Sequence, residues 1–423
     1  MKLGLLIPQF PTQTHVAMWR VGHAMRQLGH DVQMLSTRRP AAAEQCHDFL
    51  VEESRRTIYA WPPAAGGALV GVLSSPIGAL RCLGYALGLS ESSFKTRLKT
   101  LAMLPAAAAL KRTAHRLDLE HLFVHSCADA AHLVAMVKLL GGPGYSLRLG
   151  GDLDVYGTDH ASKMRGATVV VPAARVNRDE IVERVGFPAD RLIVSPLGVD
   201  TTRFVPGAAD EEPGRPLRIA SVARLNPTKG HLDTLAALRK TLDAGVRATL
   251  TLAGSGPDEQ AIRDEIARLD LQDHVTLPGP ADEARVIELL RSTDVFVLAS
   301  FGWGEASPVA VIEAMGCGCA VVCSVVGGTP DMIDDRTDGL LFPQRDVDAL
   351  AKHLIHLAHH PEERQRLGLA ARAKVEREWD CRAVATRILD AIQTHMPSGR
   401  LAAESPQSPK NATPANAEVR HAG

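Results

Sequence analysis

The chain has 423 residues, 45% of them hydrophobic and 22% charged, with 47 Lys+Arg against 48 Asp+Glu. That length exceeds one ordinary core and predicts two domains, and the composition excludes a fibrous, wholly disordered or many-spanning membrane protein. The charge is unevenly divided: residues 1–205 carry 23 Lys+Arg and 17 Asp+Glu, leaving 24 and 31 for the rest, so the two halves present different working surfaces, and no nucleic-acid partner is expected.

Residues 2–8 (KLGLLIP) read as a buried strand. Residues 15–28 read as a helix with Val16, Trp19, Met25 and Leu28 at apolar positions, and 31–36 as the next strand, a βαβ opening. Between Arg55 and Arg116 nine basic residues stand against Glu91 alone, which calls for an anionic neighbour. The apolar run 61–89 inside that stretch is broken by Pro76 and many glycines, so a spanning helix is not expected. The stretch reads either as amphipathic segments resting on an anionic leaflet or as an internal layer of packed helices.

Residues 206–216 (PGAADEEPGRP) have the composition of a linker. It divides an N-terminal domain, 1–205, from a C-terminal one, 217–378. In the second domain strands are expected at 217–223, 248–253, 274–277, 294–299 and 319–325, with helices at 230–244, 257–269, 282–292 and 308–316 between them. Apolar strands alternating with helices predict an α/β fold with a parallel sheet covered on both faces. A last helix, 379–396, is expected to pack back on the first domain, and the Pro/Ser/Ala-rich segment 397–423 to be disordered. The seven cysteines are irregularly spaced and follow no secretory signal, which suits a reducing cytoplasm. Cys317, Cys319 and Cys323 lie in an apolar run and read as small buried residues rather than metal ligands.

Ligands of open parallel sheets bind beyond the carboxyl ends of the strands, so polar clusters there carry the functional argument. Arg224 and Lys229 share one short turn after the first strand of the second domain, placed to meet a diphosphate. Gly254-Ser255-Gly256 is a glycine turn that brings backbone N–H groups close to a ligand. It lacks the third glycine of a dinucleotide fingerprint, which argues against NAD. In Glu305-Ala306-Ser307-Pro308, Ser307 is suited to cap the following helix and Pro308 to begin it. Glu305 at the helix mouth and Glu313 inside it differ in level by roughly 7–12 Å, so one suits sugar hydroxyls and the other a ribose diol. Val326-Gly327-Gly328 is a further glycine turn after a strand.

Arg224 with Lys229, the turn at 254–256, and Glu305 separated from Glu313 by seven residues together resemble glycosyltransferase family 4, of the GT-B fold. Residues 10–20 (FPTQTHVAMWR) resemble the opening of its exopolysaccharide and colanic-acid-type members, and 191–206 the stretch leading into their second domain. The resemblance implies two Rossmann-like domains facing a central cleft. It also implies a retaining transferase that needs no metal or other cofactor and moves a hexose from a UDP- or GDP-sugar to a lipid-linked oligosaccharide. The cysteine content and the basic, apolar stretch add the expectation of an enzyme in the cytoplasm, peripheral on the inner face of the cell membrane, with residues 55–116 against the lipid. Residue by residue, Arg224 and Lys229 would hold the diphosphate, Glu305 the transferred sugar and Glu313 the ribose. Gly254, Gly256, Ala306, Ser307, Pro308, Thr12 and Gln13 would line the donor, His125 would face the sugar from the first domain, and Asp152 would serve the acceptor cleft. Three positions depart from the family: Ala306 stands where glycine is usual, Thr12-Gln13-Thr14 replaces a glycine pair, and Leu149-Gly150-Gly151-Asp152 lacks a histidine. A sugar-nucleotide 2-epimerase of similar architecture and a catalytically silent partner subunit remain as alternative readings.

Overall fold

The computed structural model describes residues 1–12, 15–40, 48–60, 74–208, 214–302 and 305–396. Gln13, most of the linker's acidic stretch, the first part of the apolar run 61–89 and the tail from 397 therefore lie outside the described residues.

Two six-stranded sheets form the frame. The first contains β1 (Lys2–Gln9), β2 (Asp31–Arg38), β3 (Ile58–Tyr59), β4 (His121–His125), β5 (Gly144–Leu149) and β6 (Ala167–Pro172), in the order β3-β2-β1-β4-β5-β6. The second contains β7 (Leu217–Val222), β8 (Ala248–Ala253), β9 (Val275–Gly279), β10 (Val295–Leu298), β11 (Ala320–Ser324) and β12 (Leu340–Phe342), in the order β12-β11-β10-β7-β8-β9. All pairings within the sheets are parallel. Helices cover both faces, so the strands read largely as apolar runs: β10 and β11 in the second sheet are buried at every position, and so is β6 at the edge of the first.

Each sheet reverses its winding once, between β1 and β4 in the first and between β7 and β10 in the second. At such a reversal the connections leave in opposite directions and open a crevice at the strands' carboxyl ends. The two crevices face each other. Ala174, just past β6, lies against Gly328, just past β11, and the backbone N–H of Arg175 donates to Asp331 at 2.5 Å.

The chain passes between the domains twice, side by side. Val199 N donates to Trp379 O and Cys381 N to Val199 O, both at 2.9 Å. Beyond the second passage the helix Cys381–His395 packs on the helix Val16–Gln27, and its Val384, Ile388 and Ile392 join Met18, Val21 and Met25 in one core. Across the other face of the first sheet, helices Pro76–Leu87, Phe94–Leu101 and Leu104–Arg116 sit outside Asp129–Leu139. No helix among the described residues is long and apolar enough to cross a membrane.

Candidate active site

The β7/β10 crevice is built by two loops that the sheet order makes neighbours. After β7 a single 3-10 turn, Pro227–Lys229, leads to Gly230 at φ 66° and the helix His231–Asp243. A Cβ on Gly230 would lie 2.0 Å from Ala299 O, so only glycine lets the turn seat on the end of β10. Phe301 N donates to Thr228 O at 2.9 Å, and the buried ring of His231 holds Arg224 O through Nε2 at 3.0 Å, fixing both ends of the turn. Lys229 Nζ is thereby brought onto the carboxylate of Glu305, 76 residues away, in a close ion pair. Ser300 Oγ donates to the same Glu305 oxygen at 2.9 Å. Glu305 is 6% exposed, so a cation and a hydroxyl stand in for the water it has lost. Arg224 projects from the same turn into solvent, with no side-chain ion pair among the described residues.

The glycine turns are explained by the neighbouring loops. A Cβ on Gly254 would meet Ala223 O at 1.9 Å and one on Gly256 would meet Leu225 O at 2.2 Å, while Leu225 N donates to Ser255 O at 2.9 Å. The turn after β8 is therefore pressed onto the backbone that carries Arg224. Gly327 and Gly328 likewise leave room for Glu305 O and Ala306 O, and Gly328 N donates to Glu305 O at 2.9 Å. Ala306 is buried beneath this contact. Four loops thus interlock into one shelf, which holds the Lys229–Glu305 pair from below.

The helix start differs from the expected cap. The helix runs Val309–Gly316 with Pro308 in the capping position at φ −66° and ψ 107°, and Ser307 Oγ is buried without a hydrogen-bond partner among the described residues. Proline's fixed φ suits the extended backbone here.

Glu313 is engaged from the other domain. Arg20, on the helix Val16–Gln27, donates from Nη1 to Glu313 Oε1 at 2.7 Å and from Nε to Glu283 Oε2 at 2.9 Å, and it lies 4.8 Å from the Phe204 ring. Arg203, in the first inter-domain passage, pairs with Glu283 as well. Burial raises the pKa of the Glu313 carboxyl, and Arg20 draws it back down. Burial works against the Arg20 cation, but Glu313 and Glu283 together raise its pKa. The sequence reading missed Arg20 and Glu283. The available signal was a charged residue on the apolar side of an otherwise buried helix.

Across the cleft, the β1/β4 crevice gathers Thr12, His15 and His125. Thr12 Oγ1 lies 2.6 Å from His15 Nδ1, and the His15 and His125 rings meet edge to face at 5.6 Å. Burial lowers the His125 pKa well below its ordinary value, and Arg148 and His15 push the same way. Arg148 occupies the facing position on β5, is fully buried, and donates to Ser195 O at 3.2 Å. Burial lowers its pKa to about 10. Asp152 accepts from Asn177 Nδ2 at 2.9 Å, and Asp154 pairs with Arg184 at 2.8 Å. The two carboxylates of Asp152-Leu153-Asp154 therefore have separate partners. No group of three potential metal ligands occurs among the described residues.

The family described as "Glycosyl transferases group 1" matches residues 208–374. The amylovoran biosynthesis glycosyltransferase AmsK of Erwinia amylovora is 30% identical over 288 residues, 66% of this chain and 70% of that one. WcaL of Escherichia coli, assigned to colanic acid biosynthesis, is 31% identical over 246 residues, and the chain spans 60% of its length. It spans 53% of the Salmonella typhimurium counterpart. Anabaena HepE, solved in complex with UDP, superposes with a TM-score of 0.71 at 15% identity, covering 93% of this chain and 100% of that one. That last likeness is one of fold, and it shows the two facing α/β domains to be of the GT-B kind. Identity at the level of AmsK over most of a named transferase's length makes the chain a member of the group 1 glycosyl transferases.

Proposed function

We propose that this protein transfers a hexose from a UDP- or GDP-sugar to a growing, lipid-linked oligosaccharide in exopolysaccharide assembly, with retention at the anomeric carbon and without a metal ion. The observation that carries the reading is the Lys229–Glu305 pair beside Arg224 at the point where the second sheet reverses its winding. The names of AmsK and WcaL support a surface-polysaccharide product, and the UDP in the HepE structure supports a nucleotide-sugar donor.

On this reading the donor diphosphate meets the turn Arg224–Lys229. Each charge-assisted hydrogen bond there contributes about 1.5–3 kcal/mol. Negative charge grows on the leaving diphosphate in the transition state, so these cations act where preorganised electrostatics contributes most. Lys229 exchanges the Glu305 carboxylate for a phosphate oxygen, which frees Glu305 to accept from sugar hydroxyls. Glu313, with one oxygen on Arg20, keeps acceptor capacity for the ribose diol. His125, neutral because it is buried, faces the sugar without placing a second cation beside the anomeric carbon as it becomes positive.

The test is the full chain incubated with a panel of UDP- and GDP-sugars, following release of nucleoside diphosphate with and without a glycan acceptor. Turnover with one donor is expected, and it should persist in EDTA. Loss of activity on chelation would remove the metal-free mechanism. Epimerised donor without acceptor would favour the 2-epimerase reading, and absence of both hydrolysis and transfer would make the chain a silent partner.

A further inference from the structure

The helical layer outside Asp129–Leu139 is built inside out. Helix Pro76–Leu87 presents Gly78, Cys82 and Ala86, one residue per turn, to the domain. A Cβ on Gly78 would stand 2.8 Å from Leu140 Cα, and Cys82 Sγ reaches Met136 O at 3.6 Å, so the small residues make a close seat. The large apolar side chains of the same helix, Ile77, Leu80, Leu83 and Leu87, point the other way, with Ile77 70% and Leu80 73% exposed. Helix Phe94–Leu101, packed on the first, likewise exposes Phe94 and Leu98, one turn apart and 75% and 57% exposed. A helix on the surface of a water-soluble domain normally shows the opposite pattern, and a concentration of exposed apolar side chains of this kind marks a contact.

The two helices form a fixed hairpin. Arg97 donates to Leu87 O at 3.1 Å and Ser92 O at 3.2 Å, and Ser93 caps the second helix through Thr96 N. Charge identifies the occupant. Arg81 and Lys95 border the apolar face, exposed and with no ion pair among the described residues, whereas Lys99 is paired with Asp129. The one acid of the hairpin, Glu91, is exposed but engaged, its carboxylate accepting from Asp159 N at 2.7 Å. An apolar face bordered by free cations, with its only carboxylate tied to a backbone N–H, matches an anionic bilayer surface, where chains take the apolar groups and phosphates the cations.

We infer that the hairpin 76–101 is a preformed membrane-docking element, which seats Ile77, Leu80, Leu83, Leu87, Phe94 and Leu98 below the phosphates of an anionic leaflet. None of these residues belongs to the site described above, and the test needs no donor sugar, so its failure would leave the transfer reading untouched.

The experiment is flotation of the full chain with vesicles of phosphatidylcholine alone and of equal parts phosphatidylcholine and phosphatidylglycerol, with thermal midpoint and sedimentation measured alongside. Flotation is expected with the mixed vesicles only. Leu80→Asp with Phe94→Asp should lower the partition coefficient by roughly tenfold or more, and Arg81→Glu with Lys95→Glu by about fivefold per charge, with unchanged thermal midpoints. Leu369→Asp, at an exposed leucine of the second domain, should float like the parent. Undiminished flotation of the two double variants would overturn the proposal. A parent that does not float, but whose self-association is abolished by Leu80→Asp with Phe94→Asp, would assign the face to a second copy. A parent that does not float and loses thermal stability on that substitution would assign it to a covering segment of the same chain.

Discussion

Lys229 and Glu305 hold each other in a pocket from which water is largely excluded, so each is a reserve of charge for the other until a ligand competes. Lys229→Ala and Arg224→Ala should each lose roughly 2–4 kcal/mol of transition-state stabilisation, read as kcat/KM with the preferred donor; near-parent turnover in both would remove them from the chemistry. Glu305→Gln should depress turnover more than nucleotide binding, because it removes the anion but leaves the turn in place. Buried histidines predict a fold that weakens in acid. Burial lowers the pKa of His121 to about 3, below its unfolded value, so the unfolded chain binds the proton first as pH falls. Stability is then fully present above about pH 6.5 and is lost on acidification, with His121 alone accounting for about 2 kcal/mol by pH 5. Thermal midpoints between pH 7 and 5 should fall steeply in the parent and less steeply in His121→Gln. The types and turns of the site residues were legible in the sequence, because a cation or a glycine just past a buried apolar run declares itself. Their partners were not. Lys229 meets Glu305 only because β7 and β10 are adjacent in the sheet, and nothing in the local periodicity of either segment encodes that order.

At the level of elements, alternating apolar strands and helices disclosed the second sheet almost completely, since each of its central strands is a short buried run flanked by turn residues. The first sheet was less readable. Its β3 is two residues long, and β4 begins and ends in histidine, so neither has the composition of a buried strand. The helix before Cys317 was correctly expected but its start was misplaced by one residue, because the cap was assigned from residue preference, whereas Pro308, with its fixed φ and extended ψ, takes the capping position. The Arg20 clamp joins three helices from two domains, and it should be costly to break from one side. Arg20→Leu leaves Glu313 buried beside Glu283 without its cation, a loss of roughly 3–5 kcal/mol measurable by denaturant unfolding. Adding Glu283→Gln and Glu313→Gln should recover much of that loss. Equal destabilisation in the single and triple variants would mean that packing around Arg20, rather than its charge, is what matters. Gly230→Ala, at positive φ and against Ala299 O, should displace the Lys229 turn and weaken donor binding with the sheet intact.

The whole molecule is two crevices brought face to face, joined by paired passages of the chain and by the Arg20 clamp near them. A donor that bridges the shelf of the second domain and the histidine pair of the first should draw the domains together, and small-angle scattering with and without nucleoside diphosphate should show the contraction. A profile unmoved by a nucleotide shown to bind would mean that the cleft is already in its working form. The order in which the chain is made gives the last helix a further importance. The core that buries Met18, Val21 and Met25 is completed by Val384, Ile388 and Ile392, so the first domain has to wait for the ribosome to finish the second. At typical elongation rates that delay is on the order of ten to forty seconds, during which a sticky groove along the opening helix lies bare on the nascent polypeptide and invites a chaperone to cover it.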